Sequence, residues 1–146
     1  MAVRYFDSSV ILSELLEEKI HPLLNELWNG AEERLSSSLL KIECVIAIRR
    51  AALSQRVVAD AEWVRERLDL LSGFLDSLNF KAIDESIEEV IRLTPALANC
   101  RTLDAIHVAT ALHFKPYVEG ALEVVTLDRR MKKLAEKVGF QVQPPE

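Results

Sequence analysis

The chain has 146 residues, of which 49% are hydrophobic, and it carries a net charge of −5. This size and composition suit one globular domain spanning residues 1–146, and they exclude a disordered chain. The negative charge excludes two further classes: proteins that coat nucleic acid by attracting its phosphates, and proteins that bind membranes through a polybasic surface.

The cysteine content and the hydropathy pattern predict a cytoplasmic protein. Cys44 and Cys100 lack the spacing of a zinc site or a disulfide framework, and we expect both to be reduced thiols that act as small hydrophobic residues. No apolar run approaches the roughly 20 residues needed to cross a membrane. Glu14 interrupts the N-terminal apolar segment that a signal peptide requires.

The predicted elements alternate between strands and helices along the whole chain. In chain order they are a strand at 3–6, a helix to about residue 17, a helix at 21–30, a strand at 34–38, a helix at 39–50, a long helix at 57–78, a strand at 79–83, a helix at 84–93, a helix at 103–114, a strand at 122–127, a helix at 128–139 and a strand at 140–143. Pro22 suits a first helical turn, Gly30 suits a helix end, and Gly73 is expected to weaken or end the long helix.

This alternation favours an α/β fold. The strands are short and apolar on both sides, as expected when helices cover both faces of a mostly parallel sheet. We therefore predict a three-layer α/β/α domain with a short, mostly parallel central sheet. Right-handed crossovers place the carboxyl ends of such strands along one edge, where open α/β sheets bind their ligands.

Two aspartates follow predicted strands directly and therefore fall at this edge. Asp7 comes after VRYF, and Asp128 comes after LEVVTL. Each also suits a helix N-cap, because aspartate accepts hydrogen bonds from backbone N–H groups there and complements the helix dipole. Asp84 starts another helix after a strand and is assigned as an N-cap only. Asp7 and Asp128 lie close together if their strands are neighbours.

Two further acids lie on helices that are otherwise apolar. Glu43 sits on an apolar helix face, where a carboxylate needs a metal ion or a charged partner. Both interpretations stay open: a metal or catalytic role, and a buried salt bridge to an arginine such as Arg4 or Arg101. Asp104 begins an alanine-rich helix. His107, one turn later, is predicted to be a hydrogen-bonded structural residue, with a ligand or base role as the alternative.

Four acids from four separate segments suit a divalent cation. Carboxylates that lie close together repel each other and raise the pKa of some members, and a cation supplies the compensating charge. Oxygen ligands without a Cys or His cluster suit Mg²⁺ or Mn²⁺. Such ions activate water and stabilise a leaving oxygen, so phosphodiester hydrolysis is the leading reaction class.

Motifs of several other enzyme classes are absent from the sequence. It contains no GxxxxGK[ST] loop, no GxGxxG fingerprint and no GxSxG elbow. Ser9 stands where a haloacid-dehalogenase-like phosphatase needs its second aspartate. The stretch Thr126-Leu127-Asp128 replaces the lysine that a response-regulator receiver needs after a late strand.

Four segments of the chain each carry an acid: FDSSVILSELL, SSLLKIECVIAIRRA, RTLDAIHVATAL and VVTLDRRMKKLA. In this order and spacing they resemble the successive blocks of PIN-domain proteins, above all the VapC-type toxins of bacterial toxin–antitoxin pairs. The resemblance spans nearly the whole chain. The first block has Asp-Ser-Ser where the family commonly has Asp-Thr-Ser, which keeps the hydroxyl group.

The resemblance implies a metal-dependent endoribonuclease that acts as a toxin on RNA, with tRNA or rRNA as typical family targets. It implies that Asp7, Glu43, Asp104 and Asp128 form a catalytic site for Mg²⁺ or Mn²⁺, and we expect Asp7 and Asp104 to hold the principal metal ion. It also implies a cognate antitoxin that blocks the site, and a toxin homodimer.

Other residues are expected to assist this site. Thr126 matches a hydroxyl residue often found near it, and Ser9 offers a second hydroxyl. A basic cluster follows Asp128 and would contact RNA phosphates, with a solvated helix face as the alternative: Arg129, Arg130, Lys132 and Lys133. The apolar stripe of 57–78 is expected to pack mostly against the protein's own core, although part of it would suit a partner groove.

Two other functions stay open at this point. One is a non-catalytic PIN-like module that uses its acidic pocket to hold a basic partner. The other is a DNA-directed nuclease, because the acids do not report the sugar and the 2′-hydroxyl of RNA is recognised by other contacts.

Overall fold

A computed structural model of the protein describes residues 2–16, 20–54 and 61–145. Its strands are β1 (Val3–Phe6), β2 (Glu33–Ser37), β3 (Asn79–Lys81), β4 (Leu122–Val125) and β5 (Gln141–Gln143). They form one five-stranded parallel sheet in the order β3-β2-β1-β4-β5. The parallel sheet predicted from the alternating pattern is confirmed.

Helices connect and cover these strands. They are α1 (Ser8–Leu15), α2 (Leu24–Asn29), α3 (Leu39–Leu53), α4 (Ala61–Asp76), α5 (Glu85–Leu93), α6 (Thr102–Phe114) and α7 (Arg129–Lys137), with short 3₁₀ segments at Pro95–Asn99 and Lys115–Tyr117. Within the described ranges, none of these helices combines the length and the apolar character needed to cross a membrane.

The sheet separates two hydrophobic cores, because successive side chains of a strand point to opposite faces. Tyr5 and Val124 point into the core formed with α5, α6 and α7. Phe6 and Val125 point into the core formed with α1, α2, α3 and α4. This arrangement is the predicted three-layer α/β/α domain.

The apolar stripe after residue 61 packs inward, as predicted for most of its length. Val64, Leu71 and Leu78 are buried in the core that contains α1 and α3. The ring of Trp28 lies 5.5 Å from that of Phe74 and extends the same core. These three positions of the stripe are therefore interior surface, whereas Ala61 at the start of α4 is exposed.

The boundaries of several elements differ from the predictions. Gly73 lies inside α4, which continues to Asp76, so the predicted weakening at this glycine does not end the helix. The second helix begins at Leu24 rather than at 21, and Gly30 ends it as predicted. The strands predicted at 79–83 and 122–127 are shorter at their carboxyl ends. The predicted helical positions at 17 and at 57–60 lie outside the described residues.

The ends of β1 and β4 lie side by side at the centre of the sheet. Phe6 is in register with Val125, and the backbone N–H of Asp7 donates to the Val125 carbonyl at 3.3 Å. The neighbouring strands bring the segments that begin with Asp7 and Thr126 to the same part of the carboxyl edge.

Candidate active site

Asp7 lies at the carboxyl end of β1 and is only 5% exposed. Its Oδ1 accepts hydrogen bonds from the Ser9 backbone N–H at 3.2 Å and from the Ser9 hydroxyl at 2.5 Å. Its Oδ2 accepts one from the Thr126 hydroxyl at 2.6 Å. Asp7 is therefore both the N-cap of α1 and a buried carboxylate at the sheet edge, so the two interpretations of this residue are compatible.

The hydroxyl groups of Ser9 and Thr126 connect Asp7 to the segment that follows β4. Ser9 Oγ accepts a hydrogen bond from the Leu127 N–H at 2.9 Å, and Thr126 Oγ1 accepts one from the Asp128 N–H at 3.0 Å. Each hydroxyl donates its single proton to Asp7, so its oxygen serves as the acceptor for the backbone. The two side chains thus fix the Asp7 carboxylate against the start of α7.

Asp128 caps α7 at the same edge. Its Oδ1 accepts hydrogen bonds from the backbone N–H groups of Arg130 at 2.8 Å and Met131 at 3.3 Å. Burial raises the pKa of Asp7, hydrogen bonds from Ser9 and Thr126 oppose the rise, and the charge of Asp128 adds to it. Since one charge shifts the pKa of another only at short range, Asp7 and Asp128 lie within electrostatic reach of each other.

Asp104 and Glu43 approach the edge from opposite helical layers. Asp104 lies in the first turn of α6 and Glu43 in the second turn of α3, and both are half-buried. Burial is the main cause that raises the pKa of Asp104. The charge of Asp128 raises this pKa further, and the charge of Glu43 makes a smaller contribution. The four predicted acids therefore influence one another through their charges.

A buried histidine links Glu43 to a tyrosine on β1. His107 Nε2 lies 2.6 Å from Glu43 Oε1, and His107 Nδ1 lies 2.7 Å from the Tyr5 hydroxyl. Burial raises the pKa of Tyr5 well above its usual range, so this hydroxyl keeps its proton and donates it to Nδ1. The network then assigns the N–H to Nε2, which donates to Glu43. The predicted hydrogen-bonded role of His107 is confirmed.

The alternative in which Glu43 pairs with Arg4 is wrong. Arg4 pairs instead with Glu123 on the neighbouring strand, with Nε 2.9 Å from Oε1, and its Nη1 donates to the Leu27 carbonyl at 2.9 Å. Within the ranges that the structure describes, Arg101 forms no ion pair with Glu43 either. His107 satisfies the half-buried carboxylate in place of an arginine.

The donor set fits Mg²⁺ or Mn²⁺ in chemistry and in charge. Carboxylate and hydroxyl oxygens are the ligands these ions prefer. The charge of Asp128 adds to the raised pKa of both Asp7 and Asp104, and a bound cation would relieve this repulsion. Among the described residues, no three side chains of His, Cys, Asp or Glu are already arranged as a metal-ligating group. Mg²⁺ does not require such a cage, because it is commonly bound by one or two carboxylates together with waters and substrate phosphates.

Arg129 and Arg130 are exposed in the first turn of α7, where they were predicted to contact phosphates. They line different cavities. Arg129 shares its cavity with Thr126 and Asp128, whereas Arg130 shares its cavity with Asp104. Both arginines therefore neighbour one of the acids, each in its own cavity.

The sequence alone did not identify Tyr5 as part of the candidate site. A tyrosine within a short apolar strand is read as a core residue, and Tyr5 is indeed fully buried. The available signal was His107, one helical turn after Asp104, because a buried imidazole needs partners for both ring nitrogens.

Comparison with known proteins supports this architecture. A profile of the PIN domain family matches residues 4–137, and no curated protein matches the chain in sequence. A toxin–antitoxin complex from Klebsiella pneumoniae shares the fold with a TM-score of 0.55 and 17% identity over 86% of both chains. VapBC2 from Rickettsia felis, bound to a DNA fragment from its promoter, gives a TM-score of 0.64 and 10% identity over 97% of both chains. DNA-bound VapBC from Salmonella typhimurium gives a TM-score of 0.64 and 14% identity over 98% of both chains.

The structural likeness at these low identities establishes the fold, whereas the family profile covers nearly the whole chain. The matched range contains all four acids as well as Tyr5, Ser9, His107 and Thr126. PIN domain proteins are nucleases that generally use divalent metal ions. The sequence resemblance is thus confirmed, and the chain belongs to the PIN domain family.

Proposed function

We propose that the chain is a Mg²⁺- or Mn²⁺-dependent endoribonuclease that cleaves tRNA or rRNA and acts as the toxin of a toxin–antitoxin pair. One observation carries the proposal: four acids from both helical layers interact electrostatically at the carboxyl edge of a PIN-family sheet. Ligands of parallel α/β sheets bind at this edge.

Asp7 and Asp104 are the proposed ligands of the principal metal ion. Asp7 Oδ1 accepts two hydrogen bonds, whereas Oδ2 accepts one from the residues that the structure describes and so keeps a lone pair for the ion. When bound, a divalent ion neutralises charge on the phosphate oxygens and lowers the pKa of the attacking water. Ser9 and Thr126 keep the Asp7 carboxylate in one orientation.

Glu43 and Asp128 complete the proposed cluster or position the attacking water. His107 occupies Oε1 of Glu43, and within the described ranges Oε2 of Glu43 makes no hydrogen bond. The second oxygen can therefore accept a hydrogen bond from a water aimed at the scissile phosphate. The buried Tyr5–His107 pair holds the carboxylate in place while it does so.

The proposed partners are an antitoxin, which reaches the acids with a basic side chain, and a second copy of the toxin. Support comes from the likeness to structures solved as a toxin–antitoxin complex and as two VapBC complexes bound to DNA. The two free thiols, Cys44 and Cys100, agree with the reducing conditions of the cytoplasm.

Cleavage of total cellular RNA by the purified, partner-free protein tests this function. The reaction is run with Mg²⁺, with Mn²⁺ and with a chelator, using wild type, Asp104→Asn and Asp84→Asn. Asp84 is the control, because it is an aspartate at the start of a helix that lies outside the acidic cluster, is exposed and pairs with Lys81 at 2.7 Å. Asparagine keeps the shape of the side chain and removes its charge at both positions, and it keeps the N-cap at position 84.

Discrete, metal-dependent fragments from wild type and Asp84→Asn, absent with Asp104→Asn, are the expected result. Equal cleavage of single-stranded DNA would replace the ribonuclease by a nuclease without sugar selectivity. Absence of cleavage and of metal binding in wild type would refute the enzyme and favour a module that uses its acidic edge to hold a basic partner.

A further inference from the structure

One face of helix α7 carries a row of basic side chains. Arg130, Lys133 and Lys137 follow one another at steps of three and four, so they share one helix face. All three are exposed, while Met131 and Leu134 anchor the helix to the core.

The Arg130, Lys133 and Lys137 row forms one wall of a cleft of about 550 Å³. Arg101, at the start of α6, lines the same cleft and brings a fourth cation to it. Asp104 stands in the wall beside them. The volume lies within the about 300–1,000 Å³ that ligand sites commonly have.

A second cavity of about 700 Å³ also borders α7. Thr126, Asp128, Arg129 and Lys132 line it, and Lys133 borders both cavities. The acids Asp104 and Asp128 therefore belong to different cavities, although their charges interact. Asp104 and Asp128 thus lie in two adjoining cavities that share Lys133.

The charge of the first cleft is unusual for this protein. The chain has a net charge of −5, yet four of the residues lining this cleft are cationic and only Asp104 is acidic. Within the described ranges, Arg101, Arg130, Lys133 and Lys137 make no ion pair closer than 4.0 Å. Cations on an ordinary solvated helix face commonly pair with acids three or four residues away, but these four gather around a concave surface.

We propose that this cleft binds the phosphates of an RNA strand on one side of the scissile bond. The inference rests on the proposed nuclease function and adds a named subsite to it. Guanidinium and ammonium groups are the side chains that hold phosphodiester oxygens. A strand held by Arg101, Arg130, Lys133 and Lys137 passes beside Asp104 and leaves along the second cavity. Contacts to RNA phosphates position the RNA strand without recognising its base sequence.

Binding of a fluorescein-labelled single-stranded RNA in chelator tests the cleft without cleavage. Fluorescence anisotropy is measured across a series of salt concentrations for wild type, for Lys133→Ala/Lys137→Ala and for Arg49→Ala/Arg50→Ala. The control pair is exposed on α3 and removes the same charge. Exposed lysines replaced by alanine within a helix leave the fold intact, which circular dichroism verifies.

The slope of log affinity against log salt is expected to be smaller by about 1.4 in the cleft variant, since each phosphate contact on a single strand contributes about 0.7. The control variant is expected to keep the wild-type slope. With Mg²⁺ restored, the cleft variant is expected to raise KM for RNA and to keep kcat, because uniform binding is lost.

Other outcomes separate the two proposals. An unchanged slope and KM in the cleft variant, with wild-type cleavage intact, would overturn the cleft and leave the nuclease standing. Equal losses in the cleft and control variants would also overturn it, since the effect would then be one of net charge. A wild-type protein that neither binds nor cleaves RNA would overturn both proposals together.

Discussion

Replacing Tyr5 by phenylalanine isolates the hydrogen bond that supports His107. The aromatic ring and its packing remain, and only the hydroxyl 2.7 Å from His107 Nδ1 is lost. Tyr5 is fully buried and His107 is 3% exposed, so bulk solvent has little access to His107 Nδ1 once the tyrosine hydroxyl is gone. The variant therefore leaves one buried acceptor without its donor.

The expected cost follows from that geometry. A buried polar group that loses its partner costs about 1–3 kcal/mol of unfolding free energy. For a domain of this length each kcal/mol lowers the midpoint of thermal unfolding by about 3–4 °C, so the expected decrease is about 3–12 °C. In the proposed nuclease, a less well oriented Glu43 is expected to lower kcat more than it changes KM.

Thermal and urea unfolding in chelator, followed by circular dichroism, measure the effect. Tyr117→Phe is the matched control, because Tyr117 is the other tyrosine of the chain and is 79% exposed. The control is expected to stay within about 0.5 kcal/mol of wild type. If Tyr5→Phe stays within the same margin, the Tyr5 hydroxyl does not support His107 and the reasoning is refuted.

Three further predictions follow from single residues. Burial raises the pKa of Asp104, so the folded state binds a proton more tightly than the unfolded state, and wild type without metal should lose stability as the pH rises above about 3.9 and through the raised value. In urea unfolding with chelator, Asp104→Asn should lose less stability than wild type as the pH rises and should be more stable than wild type at neutral pH. An equal loss of stability in the two proteins would contradict the burial of this charge. Burial, with the charges of Glu43 and Asp7, raises the pKa of Cys44 to about 12, so in Cys100→Ser the remaining thiol should resist iodoacetamide until urea unfolds the protein, as mass spectrometry would show. Gly73→Ala should stabilise the protein by about 0.5–1 kcal/mol in thermal unfolding, since an added Cβ meets no atom within 4 Å inside α4; a loss of stability would mean that α4 is not a regular helix there.

The layered fold could be predicted because its determinants are local. Strand-length apolar runs alternate with helical patterns, and the rule that parallel strands end on one edge placed Asp7 and Asp128 together. Gly73 misled because glycine has low helix propensity, whereas α4 is held by Val64 and Leu71 packing into the core. A weak local preference was overridden by tertiary burial.

The partner of Glu43 was beyond the reach of local patterns. His107 lies 64 positions away on the other side of the sheet, and the pairing depends on how closely α3 and α6 meet at the edge. The sequence offered an arginine such as Arg4 or Arg101 as the partner, but the position of Arg4 on β1 places it beside Glu123 of β4. Strand register decides that Arg4 lies beside Glu123, and a single sequence does not contain that register.

The bond between His107 and Glu43 also gives the protein an internal reporter. It joins α3 to α6 across the sheet edge, and the chain has only three histidines, so the ring signals of His107 can be assigned by comparing few variants. An ion, an RNA phosphate or an antitoxin side chain that draws Glu43 outward must lengthen or break this hydrogen bond. The imidazole resonances of His107 would then register occupancy of the acidic edge by nuclear magnetic resonance, without a label placed among the acids themselves.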